Sequence, residues 1–95
     1  MSRSLVIKLT CGADTTESLE RTAQALTVAS TAAAAGIPVS LWLTGDATLL
    51  ATPMYAERLT LAHAASFAEL RDALLAAATV TVCTQCAARR ALTDA

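Results

Sequence analysis

Leu5-Val6-Ile7-Lys8-Leu9, then Thr10-Cys11-Gly12-Ala13, then Asp14-Thr15-Thr16-Glu17: this opening stretch decides the fold class. The first five residues make a short, mostly apolar run of strand length. Such runs suit strands buried on both faces of a parallel sheet. Cys11-Gly12-Ala13-Asp14 reads as a turn. Asp14 and Glu17 have the spacing of a capping box, with Asp14 as N-cap and Glu17 reaching back. The helix that follows is expected to run to about Ala35 and to stop at Gly36, with Pro38 barring its continuation.

Beyond this unit, Val39-Ser40-Leu41-Trp42-Leu43 is a second strand, closed by Thr44-Gly45-Asp46. Residues 47–62 carry apolar positions at Leu49, Leu50, Met54, Tyr55, Leu59 and Leu61, interrupted by Pro53. A short helix and then a loop or second short helix is expected there. Ser66 and Glu69 form a second capping box, opening a helix with a core face of Phe67, Leu70, Leu74 and Ala78. Val80-Thr81-Val82-Cys83 is the third strand, and from Thr84 the chain turns into a helix carrying Cys86, Arg89 and Arg90. Helices alternating with short apolar strands imply an α/β fold, a mostly parallel sheet with helices on both faces in three α/β/α layers. On the first helix Leu19, Ala23, Leu26, Ala29 and Ala33 share a core face. Its opposite face turns apolar at Val28, Ala32 and Ala35. Either alanine simply favours helix there, or this half touches another subunit.

With 95 residues the chain is a single domain, 1–95. The last helix has barely begun at Ala95, so another strand is expected beyond it. More than half of the residues are apolar, with Trp42, Tyr55 and Phe67 as the only aromatics. So apolar a composition in a small chain points to surface hidden in a homo-oligomer. The net charge of −1, without a basic stripe, argues against nucleic acid as a partner. No stretch is long and apolar enough to span a membrane, and no signal peptide precedes the first strand. The expected location is cytoplasmic. Three cysteines without a secretion signal do not make a disulfide framework.

In open parallel sheets ligands gather beyond the carboxyl ends of the strands. That edge would collect Cys11-Gly12-Ala13-Asp14, Thr44-Gly45-Asp46 and Cys83-Thr84-Gln85-Cys86. Cys83 ends a strand and starts a helix, where free N–H groups and nearby Arg89 and Arg90 would stabilise a thiolate. It is the catalytic candidate, with Cys86, Cys11, Arg89 and Arg90 as auxiliary candidates. The plain alternative is a buried, inert strand residue. The Cys-x-x-Cys spacing also admits a thiol redox pair, or a zinc site of Cys11, His63, Cys83 and Cys86. No glycine-rich nucleotide or phosphate loop occurs, and no cofactor is expected.

With these residues assembled, the chain resembles the DsrE/DsrF/DsrH family of small α/β proteins, which includes sulfur-relay subunits. The resemblance rests on the Val6-Ile7-Lys8-Leu9 strand, the alanine-rich helix, and Val82-Cys83 followed by Ala87-Ala88-Arg89-Arg90. It implies a persulfide on Cys83. On our reading of the residue pair, and not from the resemblance, Cys86 would resolve that persulfide as a disulfide or modulate Cys83. The resemblance also implies trimers or hexamers, a further C-terminal strand and helix that this sequence would lack, and, as in the relay subunits, a sulfur donor or acceptor protein as partner. Ala91 departs from the pattern, standing where a glycine commonly follows the arginine pair.

Overall fold

Side chains alternate along each strand, and the alternation shows which face of the sheet is covered. Leu5, Ile7 and Leu9 of β1 (Leu5–Leu9) point one way, with Val6 and Lys8 pointing the other. In β2 (Val39–Leu43), Val39, Leu41 and Leu43 are buried, and Ser40 and Trp42 face outward. The computed structural model describes residues 3–52 and 54–92, so the first two residues, Pro53 and the last three residues lie outside the described part.

The described strands form one parallel sheet in the order β1-β2-β3, with β3 at Thr79–Val82. Register aligns Leu9 with Leu43 and Leu43 with Val82. The α/β class and the parallel sheet are as the sequence led us to expect. Consecutive strands joined by crossovers of the same hand place both connecting helices on one side. Accordingly α1 (Thr16–Ala34) and α2 (Phe67–Ala77) pack on each other and on the same face. Among the described residues no helix covers the opposite face, where Val6 is 65% exposed and Trp42 44%.

Local signals set the helix ends. Thr15, not Asp14, caps α1, its Oγ1 accepting from the Ser18 N–H at 3.0 Å. A threonine hydroxyl fills this role as an aspartate does, somewhat less favourably. Glu17 does not reach back to a cap but pairs with Arg21 one turn on. At the other end the Gly36 N–H donates to Ala33 O and the Ile37 N–H to Ala32 O, with Gly36 at φ 84°. This is a Schellman stop. Ser66 caps α2 as expected, accepting from the Glu69 N–H at 3.3 Å.

The ambiguous stretch after β2 is a 3₁₀ helix at Gly45–Ala51 and a shorter one at Ala56–Arg58. Leu26, Leu41, Leu50, Phe67 and Leu74 form the centre of the core, between sheet and helices. Ala23 and Ala29 are also buried, which lets α1 lie close to the strands. Burial of each large side chain contributes about 1.5–3 kcal/mol.

Candidate functional site

The three loops expected at the carboxyl edge do meet. The Thr44 N–H donates to Leu9 O and the Cys83 N–H to Leu43 O, both at 2.9 Å, so each strand end is tied to its neighbour. Gly45, at φ 54°, passes so close to Thr10 that a Cβ there would stand 2.7 Å from the Thr10 carbonyl oxygen. A short α3 (Thr84–Arg89) packs on the 3₁₀ helix Gly45–Ala51.

The third strand ends at Val82, one residue earlier than expected, and Cys83 becomes the N-cap of α3. Its Sγ accepts from the Cys86 N–H at 3.4 Å. The thiol is half-buried and not in a disulfide. It borders a groove of about 520 Å³ on the open side of the sheet, lined also by Lys8, Trp42, Thr44 and Gln85. Lys8 makes no ion pair among the described residues. Lys8 and Trp42 were not picked out from sequence. Their signal is the period-two alternation of Val6 with Lys8 and Ser40 with Trp42, which marks the outward face.

The arginines serve Cys86 more than Cys83. Arg89 Nη1 lies 3.9 Å from Cys86 Sγ. The Cys86 thiol titrates below its ordinary range, chiefly through a hydrogen bond with the Cys83 side chain. The Gly45 N–H and the charges of Arg89 and Arg90 act in the same direction. Arg90 Nε donates to Asp46 Oδ1 at 2.8 Å and its Nη1 to Cys86 O at 3.0 Å. This arginine therefore staples the end of α3 to the loop after β2. Asp46 looked like an ordinary turn residue in the sequence, and no local pattern links it to a partner 44 positions away.

Cys11 points elsewhere. Its Sγ lies 3.7 Å from both Ser18 O and Thr22 Oγ1, against α1. The buried Thr22 hydroxyl in turn donates to Gly12 O at 2.8 Å. His63 is exposed at a left-handed φ of 61°. Among the described residues no three His, Cys, Asp or Glu side chains gather to hold a metal ion. The set of Cys11, His63, Cys83 and Cys86 is thus not assembled. Tyr55 sits beside Gly12, and its hydroxyl is pushed up by burial and by Asp46 and Asp14. A second cleft, of about 460 Å³, opens on the helix side between Leu26, Leu50, Met54, Leu75 and Val80, and no cysteine lines it.

The sequence profile of the DsrE/DsrF-like family matches residues 10–95. The chain belongs to the DsrE/DsrF-like family. Among solved structures it is similar to the YchN protein from E. coli, with a TM-score of 0.65 and 12% identity. That match covers all of this chain and 77% of the other. At such identity the likeness speaks for the DsrE-like fold alone. No match was found among curated proteins. Within the described part of this DsrE-like chain, no helix is long and apolar enough to cross a membrane.

Proposed function

We propose that this DsrE-like protein is a sulfur carrier or sulfurtransferase subunit whose Cys83 takes sulfane sulfur as a persulfide. The observation that carries this reading is the position of Cys83. It is a half-buried reduced thiol at the carboxyl edge of the sheet, beside an open groove that contains a cation, Lys8. The Cys83 thiolate attacks the outer sulfur of a donor persulfide. A new S–S bond forms on Cys83, the donor's S–S bond breaks, and the donor leaves as a thiolate. Lys8 favours anionic donors, and Trp42 supplies an apolar wall.

The reading includes a cytoplasmic setting, a sulfur donor or acceptor protein as partner, and self-association into trimers or hexamers. Support for self-association comes from the open sheet face and from Val28, which stays 54% exposed on α1. Sedimentation equilibrium of wild type and Trp42→Asp tests it, and a single-chain mass for wild type refutes it. For sulfur loading, the protein is incubated with a sulfane donor and weighed intact. Wild type should take up sulfur, retained as an adduct or spent in closing a disulfide, and Cys83→Ser should take up none. Equal uptake by the two proteins refutes the role of Cys83.

A further inference from the structure

The Cys-x-x-Cys pair is not used by simple sulfur carriage, which needs one thiol. Its second member nevertheless has a cation beside its sulfur. Cys83 is the N-cap of α3 and Cys86 the third residue of the helix, positions whose side chains turn toward each other in a capping box. Here the Cys86 N–H donates to Cys83 Sγ at 3.4 Å, which places that sulfur over the first turn. Arg89 Nη1 stands 3.9 Å from Cys86 Sγ. The remaining cysteine, Cys11, is turned against Ser18 and Thr22 on α1.

Resting on the reading of Cys83 as a sulfane-sulfur acceptor, we propose that Cys86 resolves the Cys83 persulfide and releases its outer sulfur as hydrosulfide. The Cys86 thiolate attacks the inner sulfur, that of Cys83 itself. The Cys83–Cys86 disulfide forms, the bond to the outer sulfur breaks, and the electron pair leaves with HS⁻. The sulfane sulfur is reduced and the two thiols are oxidised, so no further oxidant is needed. A small-molecule or protein dithiol then reduces the disulfide and restores both thiols. The pair so converts a carrier into a sulfane-sulfur reductase whenever the acceptor is slow.

The fold permits this step without moving the sheet. Residues three apart on a helix lie roughly 5–6 Å apart at Cβ, and a disulfide needs about 3.5–4.5 Å. Closure therefore tightens one turn of α3. The far end of α3 stays anchored through Arg90 and Asp46. The Arg89 guanidinium, 3.9 Å from the Cys86 sulfur, favours its thiolate form whether or not Cys83 carries the added sulfur.

The test uses full-length wild type, Cys83→Ser and Cys86→Ser, reduced, desalted and loaded anaerobically with inorganic polysulfide. After removal of the excess, intact mass is read without reductant, and sulfide is trapped over time. Wild type should become two hydrogens lighter, with the disulfide mapped to Cys83 and Cys86. Cys86→Ser should hold an added sulfur atom and release no sulfide until a dithiol is supplied. A wild type that keeps the adduct as stably as Cys86→Ser overturns the resolving step and leaves Cys83 loading intact. No adduct on Cys86→Ser, or an adduct on Cys83→Ser, overturns the reading of Cys83 itself. Far-UV circular dichroism of each variant confirms the fold, and both serines retain a polar side chain at the helix start.

Discussion

Gly45→Ala should damage this protein far more than Gly36→Ala, although both glycines have positive φ. Gly36 sits at φ 84° with nothing within 4 Å of a would-be Cβ. Alanine there meets only the left-handed backbone penalty of about 1–2 kcal/mol. The lower entropy of the unfolded chain offsets about 0.4–1 kcal/mol of that. The net loss is about 0.5–1 kcal/mol. Gly45, at φ 54°, carries the same penalty, and its Cβ would also lie 2.7 Å from the Thr10 carbonyl oxygen. That oxygen is backbone directly after β1 and cannot rotate away. Overpacking of this kind adds about 1–3 kcal/mol, so Gly45→Ala loses about 1.5–4 kcal/mol. A domain of this size holds roughly 5–14 kcal/mol in total, and each kcal/mol moves the melting temperature by about 4–8 °C. Urea and thermal unfolding of the two variants reads the difference, with unchanged m-values as the control. Equal losses at the two sites refute the reasoning, because they would mean that the Thr10 contact yields at no cost.

Further outcomes follow from the same physics. Ala91 takes a φ of 55°, so Ala91→Gly should stabilise the fold by about 0.5–1 kcal/mol, and any loss in the urea midpoint contradicts the strain. Arg89→Ala should raise the pH at which Cys86 becomes reactive toward iodoacetamide, because a cation near its sulfur is removed; an unmoved alkylation profile excludes Arg89 as a contributor. Glu57 accepts two hydrogen bonds from Arg71, at 2.7 and 2.9 Å, which hold its carboxyl below the usual range. Its folded pKa is depressed, so its contribution is complete above the ordinary glutamate pKa of about 4.3 and fades as pH falls through the folded value. The stability gap between wild type and Glu57→Gln should therefore narrow on acidification, and a gap constant with pH argues against the pairing.

Much of the fold was legible in the sequence because the decisive interactions are local. Strand ends were readable to within a residue from apolar runs bounded by turn residues. The Gly36 stop and the Ser66 cap need only neighbours in the chain. The choice of Thr15 over Asp14 as cap was not legible, since either side chain satisfies the same orphan N–H groups. The gathering of three loops at one edge followed from parallel topology, which fixes where strands end. Cys83 could be singled out for the same reason. The aim of Arg89 at Cys86 was in principle readable from their spacing of three.

Composition, periodicity and capping thus determined an α/β chain with a parallel sheet and a cysteine at the carboxyl edge. The tertiary structure alone decided which face of that sheet stays open, because the hand of two crossovers sets it. It alone decided that Arg90 anchors α3 to Asp46, that Cys11 turns to Thr22, and that neither Cys11 nor His63 gathers with Cys83 and Cys86. Those outcomes depend on how α3 and the first helix dock, and docking is set by packing between residues far apart in the chain. The same docking sets α3, with both cysteines of the pair, against the 3₁₀ helix Gly45–Ala51.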